Sequence, residues 1–150
     1  MIDTTENMAR QHKPLLSVLL PVLNGGKTIG VAIDSLINQD FKDFEILVID
    51  GGSKDDTVEI VKEYVSRDSR VKLYEKEVGL GDSLNFLLSM ASAKFCARMD
   101  ADDISLPTRF SSQIALLEAR GDVVLTGTQI SYFSGVKVIP RTPYSCDHLK

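Results

Sequence analysis

The sequence predicts an α/β fold: a mostly parallel sheet flanked by helices. Short apolar runs alternate with stretches of helical periodicity, the pattern of right-handed βαβ units. Clusters rich in Asp, Gly and Asn follow the first, second and fourth of those runs. Parallel sheets bind ligands at that end of their strands.

Each element has its own warrant. Leu16–Pro21 is apolar and closes on a proline, as a buried strand leaving its sheet would. Ile29, Ile33 and Leu36/Ile37 recur at helical spacing and predict a helix over Lys27–Asn38. Phe44–Ile49 is a second strand, broken by Asp50-Gly51-Gly52-Ser53. Ser53 is placed to cap the next helix, with Asp55 and Asp56 in its first turn and Val58, Val61 and Tyr64/Val65 on its buried face. Val71–Glu75 is a third strand, and a helix follows with Leu84, Leu87/Leu88 and Ala91 on one side. A fourth strand, Phe95–Met99, runs into Asp100-Ala101-Asp102-Asp103. Pro107 is preset for the first turn of a helix striped by Phe110, Ile114 and Leu117. A fifth strand is expected at Val123–Thr126, and Gln129–Pro140 resembles a hairpin around Ser134-Gly135.

Composition bounds the rest. A chain of 150 residues with 43% apolar and 25% charged residues suits one globular domain, expected over residues 15–150. Met1–Pro14 is polar, lacks a signal-peptide core and is expected to be a flexible tail. No apolar run approaches the roughly 20 residues that cross a bilayer. A net charge of -4 and scattered lysines argue against a nucleic-acid partner. Cys96 and Cys146 match no metal-ligand spacing, which favours reduced thiols and a cytoplasmic setting.

Among the polar clusters, Asp100-Ala101-Asp102-Asp103 is the most informative. Like charges about 4 Å apart repel by ~1 kcal/mol in water and ~4 kcal/mol near a protein surface, and a divalent cation reverses the sign. In an extended segment Asp100 and Asp102 point the same way, towards one ion. Mg²⁺ or Mn²⁺ takes one or two carboxylates plus phosphate oxygens and water, which suits a diphosphate ligand. Alternatively, Asp102 or Asp103 only caps the turn into the next helix. Asp50 has two readings of similar weight: an acceptor for a base or ribose, or a turn residue bonding its own backbone. Asn24-Gly25-Gly26 can cradle a nucleotide, although Asn24 as a helix cap is the stronger reading; no P-loop pattern is present. Gly79-Leu80-Gly81 lacks the third glycine of a dinucleotide fingerprint. Arg98 and Arg109 flank the carboxylates, able to pair with them or with a phosphate. His12 and His148 fall in the tails, with no Ser-His-Asp or Cys-His arrangement.

Together the clusters resemble glycosyltransferase family 2 over about Leu16–Thr126. The resemblance rests on Ser17-Val18-Leu19-Leu20-Pro21-Val22-Leu23-Asn24, on Asp50-Gly51-Gly52-Ser53-Lys54-Asp55-Asp56-Thr57, and on Met99-Asp100-Ala101-Asp102-Asp103 with Pro107 and Arg109 behind it. It implies the Rossmann-like nucleotide-sugar-binding fold called GT-A, ending here after its donor-binding half. It further implies a site of Pro21, Leu23, Asn24, Asp50, Asp82, Asp100, Ala101 and Asp102. Pro21 and Asp50 would line the nucleoside pocket. Asp100 would lie nearer the ribose and diphosphate, and Asp102 would be the direct ligand of the Mg²⁺ or Mn²⁺ that both approach. The implied donor is a nucleotide-diphosphate sugar, UDP-linked by preference, and the acceptor a sugar, glycan or lipid-linked hydroxyl, as in polysaccharide biosynthesis. The sugar would be transferred with inversion.

Three departures accompany the likeness. Leu23 stands where a Tyr is common, and Gly51 where a second Asp is common. Gly79, Asp82 and Asn85 match the Gly-x-x-Asp-x-x-Asn pattern of a branch carrying Asp-Gly-Gly-Ser. No motif after Thr126 matches the acceptor half, so a general base and any membrane-associated segment are expected beyond Lys150. Two further readings stand beside this one. A nucleotidyltransferase would need an arginine in the first loop, which Pro21–Gly26 lacks. A non-catalytic module would form a homodimer through the sheet edge.

Overall fold

A computed structural model describes residues 13–134 and 137–140, with side chains to residue 132. The expected tail therefore lies outside the described residues apart from Lys13 and Pro14, as do Gly135, Cys146 and His148. The chain divides into two compact units, Met1–Pro107 and Thr108–Lys150.

The first unit holds four parallel strands, β1 (Leu16–Val22), β2 (Phe44–Asp50), β3 (Val71–Glu75) and β4 (Phe95–Arg98), in the order β3-β2-β1-β4. Helices α1 (Ile29–Ile37), α2 (Thr57–Arg67) and α3 (Leu80–Met90) connect them. Every residue of β1 and β2 is buried, so these strands are dry on both faces. That is why both read as continuous apolar runs rather than alternating ones. On one face Leu19, Leu47 and Ile49 pack against Leu87 of α3, with Tyr74 and Phe86 edge-on beside them. Helix α1 buries Ile29, Ala32, Ile33 and Leu36, the i, i+3, i+4, i+7 stripe of an amphipathic helix.

Order reversal occurs between β1 and β4. From β1 the chain winds outward through β2 to β3, then returns so that β4 joins the other side of β1. The two strand ends diverge there, opening a crevice where doubly wound sheets bind ligands.

Pro21 lies inside β1, not at its exit as expected. In a parallel ladder a residue's N–H and C=O face the same neighbour, alternating along the strand. Leu19 C=O accepts from Met99 N–H on the β4 side, and Val22 C=O accepts from Gly51 N–H on the β2 side. Pro21 therefore faces β4, just past the last rung, Leu19↔Arg98. Its missing N–H breaks no bond there and simply ends the ladder.

Several local expectations are corrected. Ser53 does not cap α2. The cap position is Asp56, without a side-chain hydrogen bond, and both Asp55 and Asp56 precede the helix. That helix buries Thr57 and Val61, while Val65 is exposed. Leu88 of α3 is likewise exposed, because one turn of helix presents only Leu87 to the sheet.

The second unit holds α4 (Arg109–Ala119), which buries Phe110 and Ile114, and an antiparallel pair, β5 (Ser131–Ser134) with β6 (Lys137–Pro140). Helix α4 begins two residues after Pro107 rather than at it. The hairpin agrees with expectation. Val123–Thr126 does not form the expected strand: Val124 and Leu125 are 94% and 86% exposed. An apolar run becomes a strand only where another strand satisfies its backbone, and none among the described residues pairs with it. No described helix is long and apolar enough to cross a membrane.

Candidate functional site

At the crevice between the ends of β1 and β4, a cleft of about 270 Å³ is lined by Pro21, Val22, Leu23, Asn24, Gly25, Thr28, Leu80, Asp100, Ala101 and Asp102. Six of the eight residues singled out from sequence meet there: Pro21, Leu23, Asn24, Asp100, Ala101 and Asp102. Asp50 and Asp82 do not line it. Asp82 sits exposed in the first turn of α3, and Asp50 ends β2 in register with Val22 of the lining.

Local geometry places each lining group. Asp100 follows β4 by two residues, and its C=O accepts from Asp103 N–H at 3.2 Å, an i→i+3 turn. The segment is thus a turn, not the extended stretch expected, because it lies past the last rung that could hold it straight. Asp100 and Asp102 reach the same cleft through that turn rather than by strand alternation. Asp100 is also paired: Arg98 Nε and Nη2 donate to its Oδ1 at 3.0 and 2.9 Å. Arg109 lies in the second unit, where its Nε donates to Gln113 Oε1 at 3.3 Å.

The loop after β1 is fastened to the loop after β2 and the first residue of α2 by four bonds. Asn24 N–H donates to Ser53 Oγ at 2.7 Å, Gly25 N–H to Thr57 Oγ1 at 2.9 Å and Gly26 N–H to Asp55 Oδ2 at 3.0 Å. In return Lys54 N–H donates to Asn24 Oδ1 at 2.8 Å. Asn24 is left-handed, with φ 51°, which Asn tolerates better than most residues. Hydrogen bonds from the Thr57 hydroxyl, then Gly26 N–H, hold the Asp55 carboxyl below its ordinary pKa. One expectation fails here: Asn24 does not cap α1, whose cap position is Thr28. The backbone N–H groups at residues 24–26 already donate to the side chains of Ser53, Thr57 and Asp55.

Asp50 is 4% exposed. Its Oδ2 accepts from Gly52 and Ser53 N–H, both at 2.9 Å, which is the turn role. Its Oδ1 is buried with no hydrogen-bond partner. Such an atom forfeits solvation worth about 1–3 kcal/mol unless a ligand donor reaches it.

Gly25 joins the lining with Asn24, and three further lining residues were not singled out from sequence: Val22, Thr28 and Leu80. Val22 and Thr28 flank the Asn24-Gly25-Gly26 cluster, which was the available signal. Leu80 lies within Gly79-Leu80-Gly81, and nothing in that pattern marks it as facing a cleft more than fifty residues back.

Among the described residues no group of three or more His, Cys, Asp or Glu side chains could hold a metal by itself. Two carboxylates facing one cleft still fit Mg²⁺ or Mn²⁺, hard cations that keep several coordination positions for phosphate oxygens and water.

Known proteins carry the same architecture. The chain matches the model of Glycosyl transferase family 2 over residues 17–146. It is 36% identical over 118 residues to the O-antigen biosynthesis glycosyltransferase WbnJ of Escherichia coli, covering 77% of this chain and 46% of that protein. The crystal structure of S. aureus TarS 1-349 in complex with UDP-GlcNAc superposes with a TM-score of 0.65 at 30% identity, over 72% of this chain and 32% of that one. The mannosyltransferase PcManGT of Pyrobaculum calidifontis, in complex with GDP-Man and Mn²⁺, gives 0.61 at 25% identity, over 71% and 32%. The chain spans about half the length of the curated relatives it matches.

Proposed function

The chain belongs to glycosyl transferase family 2, and from that premise we propose that it binds the nucleotide-diphosphate sugar donor, with a divalent cation, for inverting transfer to a hydroxyl acceptor. The observation that carries this reading is the charge of the cleft. Its ten lining residues include two carboxylates and no Lys, Arg or His. The neighbouring backbone N–H groups of Asn24, Gly25 and Gly26 are already bonded. A diphosphate meets unfavourable charge in such a lining unless a cation enters with it, since the Arg98 guanidinium beside it is already paired with Asp100.

Asp102, exposed on the turn, and Asp100 beside it would hold the ion, completed by diphosphate oxygens and water. When bound, the cation supplies Lewis-acid neutralisation of charge on the departing nucleoside diphosphate. Asp50 serves the other end of the donor, its unpartnered Oδ1 accepting from a base or ribose donor while Gly52 and Ser53 N–H hold the carboxylate still. Pro21 and Leu23 add apolar surface to the lining. UDP and GDP derivatives in the related structures support a nucleoside-diphosphate sugar as donor. A cleft of about 270 Å³ falls just under the roughly 300–1,000 Å³ of complete small-molecule sites. It is suited to part of the donor, with the acceptor and general base served by other segments of the whole protein.

Calorimetric titration with UDP, with and without Mn²⁺, tests the reading. Binding is expected only with the metal, and Asp102→Ala should abolish that metal-dependent binding. Metal-independent affinity, or none for any nucleoside diphosphate, would overturn it.

A further inference from the structure

Asp100 faces the cleft with its carboxylate already gripped. Arg98 Nη2 donates to Asp100 Oδ2 at 3.2 Å in addition to its bond to Oδ1, so the guanidinium fork touches both oxygens. Arg98 ends β4, where its register with Leu19 fixes the backbone, whereas Asp100 opens the turn closed by Asp103. A charge at the end of the paired strand thus holds a carboxylate on the turn that follows. The two side chains are 55% and 43% exposed, and an ion pair so open to water is weak and easily exchanged.

A divalent cation drawn to Asp100 competes with Arg98 for the carboxylate oxygens. We infer that Arg98 is a positioning residue that exchanges partners: it fixes Asp100 while no cation is bound, yields a carboxylate oxygen to the incoming cation, and turns its freed charge to the diphosphate. This rests on the metal-dependent donor reading above. Arg98 then opposes the bare metal and favours the metal–nucleotide pair, so the two ligands are coupled through one side chain. A fixed positive charge beside the turn also compensates a lining that has no cation of its own.

Wild type, Arg98→Gln and Arg98→Lys are titrated with Mn²⁺ alone, free ion being counted by electron paramagnetic resonance, and with UDP at saturating Mn²⁺ by calorimetry. Arg98→Gln should bind Mn²⁺ alone about two- to fivefold more tightly, the factor of a surface ion pair. It should bind UDP with Mn²⁺ about three- to tenfold more weakly, having lost a charged hydrogen bond. Arg98→Lys keeps the charge without the fork, so Mn²⁺ alone should again tighten while UDP binding stays nearer wild type. Opposite signs from one substitution separate exchange from a merely structural role, which would weaken both. Unchanged or weaker binding of Mn²⁺ alone in both variants overturns the inference. Should wild type bind no Mn²⁺, or Asp102→Ala bind it equally well, the donor reading fails and takes the inference with it.

Discussion

Across 29 residues of sequence, Asn24 N–H donates to Ser53 Oγ at 2.7 Å, while the Asn24 side chain accepts from the next residue along, Lys54. The loop after β1 and the loop after β2 are therefore one unit, and the cleft inherits its shape from both. Asn24→Ala should lose the Lys54 bond and leave alanine in a left-handed conformation, costing about 2 kcal/mol in all. Asn24→Gly loses the bond alone, so its cost should be about 1 kcal/mol. Urea denaturation orders the two, and equal losses would show that the positive φ carries no strain.

Gly25 and Gly26 are expected to respond differently to the same substitution. A Cβ on Gly25 would sit 2.5 Å from Cγ2 of Val22, a stiff buried side chain with nowhere to go. On Gly26 it would meet Asp56 Oδ1 at 1.9 Å, the far end of a side chain that can swing into solvent. Gly25→Ala should therefore cost about 1–3 kcal/mol and distort the cleft. Gly26→Ala should stay within about 0.5 kcal/mol of wild type. Thermal melts of the pair check this order.

Asp50→Asn should separate the residue's two jobs. The amide oxygen can still accept from Gly52 and Ser53, so stability should fall by only about 1 kcal/mol. The unpartnered acceptor becomes an NH₂ donor, wrong for a ligand N–H or O–H. UDP affinity should drop by about tenfold or more, the equivalent of one lost charged hydrogen bond. Parallel melts and titrations decide it, and full UDP affinity would remove Asp50 from the site.

Glu45 gives the first unit an acid-sensitive joint. Its buried carboxylate accepts from Ser17 Oγ at 2.7 Å, Lys72 Nζ at 2.8 Å and Ser92 Oγ at 2.9 Å, joining β1, β2, β3 and the segment before β4. Burial alone would raise its pKa, but the bonds from Lys72, Ser17 and Ser92 outweigh it and the pKa is lowered from 4.5. A lowered carboxyl pKa contributes stability above the unfolded value, lost as pH falls through the folded one. Stability should therefore decline below about pH 4.5, and Glu45→Gln should flatten that decline. Removing the network with Glu45→Ala should cost about 2–3 kcal/mol at pH 7. Denaturation midpoints from pH 3 to pH 7 provide the comparison.

The sheet was legible because β1 and β2 are buried on both faces and cannot afford a polar residue at most positions. α1 was legible because its stripe is strict. What escaped depended on partners distant in sequence. Ser53 is a good capping residue by type, yet its hydroxyl accepts from Asn24, and no local rule foresees that. Val123–Thr126 has the composition of a strand, but pairing is a property of two segments. The candidate site showed the same division. Asp100 and Asp102 announced themselves by charge density, whereas Leu80 entered the cleft only because α3 begins where it does. That Asp100 and Asp102 share a cleft was anticipated from the wrong geometry, a strand where there is a turn.

Pro21 has a last consequence. By halting the hydrogen-bond ladder one step beyond Leu19, it uncouples the Asp100 turn from the sheet. Past the Met99 N–H to Leu19 C=O bond, the turn is shaped by its own Asp103–Asp100 bond and not by a ladder rung to Pro21. It also denies an intruding extended peptide the N–H it would need to zip into the crevice. An imino acid thus keeps the mouth unlatched, while the rigid strands on either side keep it in place.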